Sequence, residues 1–562
     1  EILAASGPIT LESTNAADVT DIYINASDLD IGSKSGVTGL SSSSSNIIIR
    51  ADTFNFNSLT PDIATSGNVT WEPISSSNSF GSDVYTSWFS WNQNNQTMSG
   101  LTIGKSTNEN NVTVNSALSV AGPISIYGGS IDINSNLTAT GGNILLDADT
   151  GSAIASDDDG VAIAGGVTVQ TVTSGNITIY GRSGNNNTAG LIGIQTPGSG
   201  DPIAITSAGN ITMIGISEAA NSSAARGTYF HTTDITAEGN ISITGQAKNA
   251  GNDYDVSFQE SSLTTTNGSI TIKAQNEGRI NFVDSGSNDP LTAGGGNDIT
   301  LYANNFGNGI GFVTTGEVNL LPGYNTSNVA QTAFSSTQDL GDFTFDTGIT
   351  GLTVGTSNNN SDITISENIN ISGPITIYGD DITISSSKTL TAGTNSNIVL
   401  SAASNFINNS GSSALSVSGT GRWVVYAAND NTSANFGSLD SNNEAIFGET
   451  YSSLAPAGVA AGNRYVFAET ATDTVLSFVT QDETITYGDS LDLTDNYVLN
   501  YTGGAAALAN VHDGSAGGGS GTTTVATAYS SAPTITISAA SSSTSTSGNI
   551  EAGSYTLTIS VS

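Results

Sequence analysis

The sequence predicts an all-β protein, a right-handed parallel β-helix (solenoid) followed by a small C-terminal β-sandwich-like module. The first observation is a recurring motif, Gly-Asn or Gly-Ser and then a strand of the Ile-Thr-Ile type. Its glycines lie roughly 30 residues apart, a period typical of stacked repeats. The second is the alternation of apolar and hydroxyl-bearing residues in each motif, which indicates a strand with one buried face. The third is that no sustained helical period occurs. The motif lies at 142–146, 175–179, 209–213, 239–243 and 268–272.

Each motif supplies one strand per repeat, which fits a coil better than an antiparallel sandwich, where adjacent strands would be joined by hairpins. One such strand cannot bury its apolar face alone, whereas stacked coils can. We expect Gly and Asn to form the corners between faces, because both residues tolerate positive φ. Alanine at Gly175 or Gly239 should then cost on the order of 1 kcal/mol or more where φ is positive.

A longer repeat indicates an internal duplication. Residues 100–104 match 351–355, and the alignment continues without a gap to 121–128 against 372–379. The substitutions along it are mostly Val for Ile and Ser for Thr, which preserve shape and facing. Duplication within one continuous solenoid explains this spacing.

The chain divides into three predicted parts. Residues 1–420 form a parallel β-helix stalk, with the duplicated segments near 46–148 and 297–402. At the spacing of neighbouring strands, about fifteen coils would make a rod of roughly 70 Å. Residues 421–470 are predicted as a cap or adaptor segment whose bulky aromatic strands cover the open end of the last coil. Residues 475–562 are predicted as a mostly-β, glycine-rich module.

The composition limits the partners. The 562 residues include 11 Lys and Arg against 49 Asp and Glu, a net charge of −38, which disfavours nucleic acid and anionic membrane surfaces. Cysteine is absent from the sequence, so neither a disulfide nor a thiolate metal site can form. No apolar run reaches the roughly 18 residues that a transmembrane helix needs, which predicts no membrane span. The sequence begins without an initiator Met or a leader pattern, so we expect a processed product or a part of a longer chain.

The coil motif, the duplicated block and the segments 422–426 and 462–467 resemble the β-helical repeats of filamentous-haemagglutinin-type bacterial exoproteins. The segments 486–489 and 553–555 resemble the glycine-rich modules found in many of those proteins. The resemblance implies a secreted or cell-surface adhesin or stalk. Such a protein mediates cell adhesion or biofilm contacts with a host or neighbouring-cell surface or with matrix polysaccharide. The resemblance also implies export by an outer-membrane secretion partner.

Two alternatives stay open beside the adhesin. The chain could be a self-assembling subunit of an extracellular filament or sheath, with like chains as partners, or a β-helix polysaccharide-degrading enzyme. We expect no enzyme, because the basic residues are scattered singly, with no obvious stack beside acids. Residues 488–491 spell an esterase signature, but the nearest histidine, His512, lacks the surroundings of a catalytic base. The other histidine, His231, is expected to be packed or solvated.

The candidate sites are few. Asp147, Asp149, Asp157, Asp158 and Asp159 form the densest acidic clusters and are candidate Ca²⁺ ligands, with solvated turns as the alternative. Trp71, Trp88 and Trp91 lie in one non-repetitive excursion and are candidate glycan-binding residues, with packing against the rod as the favoured alternative. No residue is predicted to be catalytic or to bind an organic cofactor.

Overall fold

The computed structural model describes residues 46–469, except for 56–59, 75–78, 92–97, 149–157, 186–189, 198–199, 220–224, 249–253, 284–290, 308, 326, 430–434, 440 and 442–444. Outside that range it describes only the strands at 12–13, 22–25, 28–30, 39–42, 475–480, 497–502, 534–539 and 555–560.

The chain is a parallel β-helix in which most coils contribute one strand to each of three faces. The strands of one face form a continuous sheet, and those of the other two faces form shorter sheets, which we group by face as the second and third sheets. The longest, the first sheet, stacks 17 strands, and a short strand, Ile446–Phe447, pairs with the last of them. Fifteen of the 17 precede residue 420, as predicted. All of its pairings are parallel. Its strands are Ile22–Asn25, Ile47–Arg50, Asn68–Glu72, Gly100–Ile103, Ile124–Tyr127, Ile144–Ala148, Ile177–Arg182, Ile211–Ser217, Ile241–Ala247, Ile270–Ala274, Ile299–Tyr302, Glu317–Leu321, Gly351–Val354, Ile375–Gly379, Ile398–Ala402, Trp423–Ala427 and Arg464–Phe467.

The second and third sheets follow the first sheet in most coils. Hydrogen bonding in the second sheet is interrupted after Thr53–Asn55 and after Asn305–Gly307, and in the third sheet after Ser90–Trp91 and after Thr344–Phe345. The second sheet comprises Asp28–Asp30, Thr53–Asn55, Val84–Tyr85, Val112–Val114, Ile131–Ile133, Val161–Ile163, Ile192–Thr196, Arg226–His231, Tyr254–Gln259, Arg279–Val283, Asn305–Gly307, Gln338–Asp339, Ile363–Ile365, Ile382–Ile384 and Phe406–Asn408. The third sheet comprises Glu12–Ser13, Gly39–Ser42, Asp62–Ala64, Ser90–Trp91, Leu118–Val120, Leu137–Ala139, Thr168–Thr171, Ile203–Ser207, Thr233–Ala237, Ser262–Thr265, Leu291–Ala293, Gly311–Thr314, Thr344–Phe345, Ile369–Asn370, Leu390–Thr394 and Leu415–Ser418. Two short 3₁₀ helices, Thr86–Trp88 and Pro456–Gly458, are the helical elements of the described residues.

The interior consists of side-chain columns, because the strands of successive coils are in register. Ile177 pairs with Ile211 of the next coil, and both side chains are fully buried. In the second sheet the rings of Phe230, Phe258 and Phe282 stack with centroids 5.3 and 5.5 Å apart. Buried and half-buried residues alternate along most strands of the rod, which confirms the predicted alternation. The right hand of the coil stays a prediction.

An asparagine ladder explains the second residue of the Gly-Asn motif. The side-chain oxygen of Asn143 accepts a hydrogen bond of 2.8 Å from the backbone N–H of Asn176, one coil on. Asn176 accepts in the same way from Asn210, and Asn210 from Asn240, both at 2.7 Å. None of these asparagines has positive φ. The prediction that Asn occurs here because it tolerates positive φ was therefore wrong. Its side chain instead connects consecutive coils through hydrogen bonds.

Glycine occupies the same corner mainly because consecutive coils approach closely there. Of the motif glycines only Gly175 has positive φ, at 118°. A Cβ on Gly268 would lie 2.2 Å from the backbone carbonyl carbon of Gly239. A Cβ on Gly239 would lie 2.4 Å from Oδ1 of Asn210, the oxygen that forms the ladder. The expected positive φ is thus confirmed for Gly175 and wrong for Gly239.

The two copies of the duplicated segment share a buried asparagine. In the first copy the side chain of Asn108 is fully buried beneath a turn. Its Oδ1 accepts from the backbone N–H of Phe80 at 3.1 Å, and its Nδ2 donates to the carbonyl of Tyr127 at 3.0 Å. Asn108 therefore connects the preceding coil to the following one.

The second copy repeats this arrangement. The Oδ1 of Asn359 accepts from the N–H of Phe334 at 3.1 Å, and its Nδ2 donates to the carbonyl of Tyr378 at 2.8 Å. In each copy the glycine directly after the first-sheet strand also has matching backbone geometry, with φ 75° at Gly104 and 77° at Gly355. The duplication is therefore structural as well as sequential.

The first sheet continues past residue 420 into the predicted cap. Trp423–Ala427 pairs in parallel with Ile398–Ala402, and Arg464–Phe467 pairs with Trp423–Ala427 in turn. The interior of these last coils is aromatic, since Trp423, Tyr465 and Phe436 are at most 2 % exposed. Residues 421–470 thus hold two further coil strands of the rod.

Residues 445–461, the covering segment, lie over the outer face of the last strands of the first sheet. The hydroxyl groups of Tyr451 and Tyr378 are 2.7 Å apart, and the hydroxyl of Tyr426 donates to the carbonyl of Leu454 at 2.8 Å. Burial raises the pKa of both Tyr378 and Tyr426, so these hydroxyls stay protonated. The covering segment therefore seals apolar surface that a bare sheet would expose.

Beyond the rod the described strands pair in the antiparallel sense. Val475–Thr480 pairs with Tyr497–Thr502, and Thr534–Ala539 pairs with Tyr555–Ser560. This change from parallel to antiparallel pairing agrees with the predicted sandwich-like module. The segments 486–489 and 553–554, together with His512, lie outside the described residues.

Candidate ligand-binding site

The tryptophan candidates are mostly interior residues. Trp71 is fully buried, with its ring centroid 4.8 Å from that of Phe89, and Trp91 is 9 % exposed. Because a buried ring has no face open to a sugar, the glycan-binding interpretation is wrong for Trp71 and Trp91, and both are packing residues. Trp88 is half-buried beside the 37 % exposed Tyr85, with ring centroids 5.6 Å apart. For Trp88 glycan binding stays a prediction.

The calcium candidates do not gather into one site among the described residues. Asp149 and Asp157 lie outside those residues. Asp147 is on a strand of the first sheet, whereas Asp158 and Asp159 come shortly before a strand of the second sheet. In the described parts of the chain, no group of three or more His, Cys, Asp or Glu side chains could hold a metal ion. Calcium binding by this cluster stays a prediction.

Asp159 is engaged by its own protein. One carboxylate oxygen accepts from the backbone N–H of Ile192 at 2.7 Å, and the other accepts from the side-chain amide of Gln195. Burial, together with the smaller effect of the nearby carboxylates of Asp132 and Asp158, raises the pKa of Asp159 to about 6 against the lowering effect of those two hydrogen bonds. Burial, followed by the charge of Asp158, also raises the pKa of Asp132. The carboxylates of Asp132, Asp158 and Asp159 therefore repel one another in this part of the second sheet.

Farther along the second sheet two arginines share one column. Arg226 pairs with Tyr254 of the next coil, Tyr254 pairs with Arg279, and Arg279 pairs with Asn305. All four are half-buried. Because neighbouring strands are spaced by about 4.8 Å, the two arginine positions lie roughly 10 Å apart along the rod. Neither guanidinium forms an ion pair within the described part of the chain.

A polar network surrounds Arg226. Its guanidinium carbon lies 4.3 Å from the ring centroid of Tyr229, a cation–π contact. The hydroxyl of Tyr229 donates to Oε1 of Gln259 at 2.8 Å and lies 3.3 Å from Nδ1 of His231. Burial raises the pKa of the Tyr229 phenol, Arg226 lowers it, and Glu260 raises it. His231 is thus half-buried within this network.

Some buried polar atoms on these strands have no hydrogen-bond partner among the described residues. They include Nε of Arg226, Oγ1 of Thr228 and Oγ of Ser257, and Thr228 and Ser257 are at most 1 % exposed. Ser257 lies between Tyr229 and Asn281 in the next column of the sheet. Buried polar groups are usually satisfied, so these atoms are places where a buried water would bind.

A β-bulge sits in the same face. Tyr254 pairs with Arg279 and Val256 pairs with Ile280, so Asp255 is the additional residue in its strand. Bulges bend a strand and change the direction of neighbouring side chains, and they are frequent beside functional sites. We name the surface formed by the half-buried residues Arg226, Tyr229, Tyr254, Gln259 and Arg279, together with the buried Ser257 and Asn281, the arginine face.

The sequence analysis did not detect the arginine face, although a signal was present. The segments 226–231, 254–259 and 279–283 are successive strands of one sheet. Once they are aligned at the coil period, two of the 11 basic residues fall at one position. Without the coil boundaries, the irregular spacing of the second sheet hides that alignment.

Compared with protein-family models, with curated proteins and with solved structures, the chain matches none. The resemblance to filamentous-haemagglutinin-type exoproteins therefore stays a prediction. Within the described residues, no helix has the length and apolar character to cross a bilayer.

Proposed function

We propose that this chain is an extracellular adhesive stalk, a secreted or surface-attached rod that holds binding surfaces away from a bacterial cell. The single observation that carries the proposal is the unbroken parallel stack of 17 strands in the first sheet. At about 4.8 Å per strand the stack extends for roughly 75 Å. Because every coil hydrogen-bonds to the next, such a body is stiff along its length.

The outer surface of the first sheet supports the same function. One outward column carries mainly Thr and Ser, so it is hydrated without needing charge. Its hydroxyl residues are Thr70, Thr102, Ser125, Thr178, Thr212, Ser242, Thr271, Thr300, Thr353 and Thr376. A surface column that is polar without charged side chains suits a protein that stays dispersed outside the cell while its other surfaces make contacts.

Small-angle scattering with analytical ultracentrifugation tests the stalk. We expect an elongated monomer whose mass does not grow with concentration, and no release of unsaturated or reducing-end products from a panel of acidic polysaccharides. A compact particle would contradict the rod. Mass that grows with concentration would favour the filament subunit, and product release would favour the enzyme.

A further inference from the structure

The arginine face is unusual within this acidic chain. The other described basic side chains have partners: Arg50 pairs with Glu72, Lys388 pairs with Glu367, and Arg182 and Lys248 both pair with Glu218. The remaining ones contact backbone carbonyls or aromatic rings, namely Lys105, Lys273, Arg422 and Arg464. Arg226 and Arg279 instead present two guanidinium groups on one column, with Arg226 stacked on a tyrosine and, within the described residues, no ion pair to a carboxylate at either.

We propose that the arginine face binds a polyuronate, a polysaccharide with carboxylates along its length. Each guanidinium would donate two N–H hydrogen bonds to one carboxylate of the polymer, a bidentate pair that its planar fork of donors matches. The separation of Arg226 and Arg279 by two strand spacings, about 10 Å, directs an extended polymer along the rod instead of a compact anion. The half-buried side chains of Tyr254 and Gln259 line the path and supply donors and acceptors for sugar hydroxyls, whereas Ser257 and Asn281, 1 % and 4 % exposed, are buried beside it.

The net charge of the chain selects among polyanions. A total of −38 repels densely charged polymers such as sulfated glycans and nucleic acids at long range. A polymer with one weak carboxylate per sugar unit is repelled less and can still form two short-range pairs. Carboxylate sugars therefore fit this face better than sulfate or phosphate polymers. The proposal names a ligand class for the adhesive stalk and rests on that function for its biological role.

Binding of polygalacturonate to the full chain, measured by isothermal calorimetry at low and at physiological salt, tests the proposal. Fully methyl-esterified polygalacturonate is the matched probe, because it keeps the sugar chain and removes the charge. We expect Arg226→Gln and Arg279→Gln each to weaken binding by about tenfold or more, since charge-assisted pairs are the strong ones. Lys388→Gln makes the same charge change at a half-buried site on another part of the rod and should leave the affinity unchanged. Circular dichroism and thermal unfolding check that each variant is folded.

Several outcomes would overturn the proposal. They are equal binding of the esterified polymer, tighter binding of heparin, no binding by the wild-type chain, or an equal effect of Lys388→Gln. Small-angle scattering on the same samples separates the two proposals. An elongated particle that does not bind polygalacturonate would contradict the proposed ligand and leave the proposed stalk standing. A compact particle that binds polygalacturonate would contradict the stalk and leave the ligand standing. Cleavage of the polymer during the titration would contradict the stalk function and favour the polysaccharide-degrading enzyme.

Discussion

At the Gly-Asn corner before several strands of the first sheet, two adjacent residues are constrained for different physical reasons. The glycine has no Cβ because the preceding coil leaves no space for one, as at Gly268 against Gly239. The side-chain oxygen of the asparagine accepts a hydrogen bond from a backbone N–H of the next coil, as that of Asn176 does from Asn210. Sequence patterns identify this corner correctly, but they do not separate steric exclusion from backbone conformation, because both select glycine.

Alanine substitutions at Gly175 and Gly239 distinguish these causes. At Gly175 a Cβ meets positive φ and lies 2.1 Å from the carbonyl oxygen of Gly142, so both penalties apply. We expect Gly175→Ala to cost roughly 2–4 kcal/mol of unfolding free energy. Gly239→Ala only displaces the Asn210 side chain from the ladder and should cost about 1 kcal/mol. Denaturant unfolding measures both, with the exposed neighbour Ser174→Ala as control; equal costs at the two glycines would contradict this account.

The buried carboxyl of Asp159 makes stability depend on pH. Its pKa is about 6 in the folded chain, above the ordinary value of 3.8. As pH rises from about 4 to above 6, the unfolded chain loses this proton first, so stability falls through that window and the loss is complete above it. Asp132, whose pKa is also raised, contributes in the same direction.

Asp159→Asn should flatten this pH dependence and stabilise the chain at pH 7, by about 1–3 kcal/mol, since each unit of pKa shift corresponds to about 1.4 kcal/mol. The thermal unfolding midpoint between pH 4 and pH 7.5 provides the measurement. Asp339→Asn, at an exposed carboxyl elsewhere on the rod, serves as the control. A variant that follows the wild-type pH profile would show that this carboxyl titrates normally.

At the scale of elements, the duplicated segments offer an internal comparison. Asn108 and Asn359 each connect three consecutive coils through one buried side chain. Neither residue stands out in the sequence, because a buried asparagine under a turn has the same letters around it as a solvated loop asparagine. The hydrophobic alternation predicted the strands and their inward faces, since period-two patterning directly records burial.

Alanine at Asn108 or at Asn359 should increase local unfolding only in the duplicated segment that contains the substitution. Removing the Asn108 side chain leaves the buried N–H of Phe80 and the carbonyl of Tyr127 unsatisfied, at a cost of roughly 2–4 kcal/mol. Stability in solenoids is local to neighbouring repeats, so hydrogen exchange should accelerate at Phe80 in Asn108→Ala and at Phe334 in Asn359→Ala. Each variant is the control for the other. Acceleration at both sites in either variant would indicate that the rod unfolds as one unit.

For the molecule as a whole, composition predicted the chemical character of the surface better than any motif did. A chain rich in Ser, Thr and Asn, with only 11 % charged residues, gives a hydroxyl-covered rod. Composition did not predict where the few charges gather, because placement depends on the coil boundaries. The acidic end around Asp132 and Asp159 and the arginine face lie on the same sheet, yet only the folded register brings each group together.

The excess of 38 negative charges should make the stability of the whole rod depend on ionic strength. Self-repulsion among carboxylates weakens the compact state, and salt screens it: the Debye length falls from about 30 Å at 0.01 M to about 8 Å at 0.15 M. We therefore expect the thermal unfolding midpoint at pH 7.5 to rise by a few degrees when NaCl is raised over this range. Near pH 4 many carboxylates are protonated in both folded and unfolded chains, so the same addition should have a smaller effect. A midpoint that falls with salt at pH 7.5 would mean that specific ion pairs, such as Arg182 with Glu218, outweigh the repulsion among the acids.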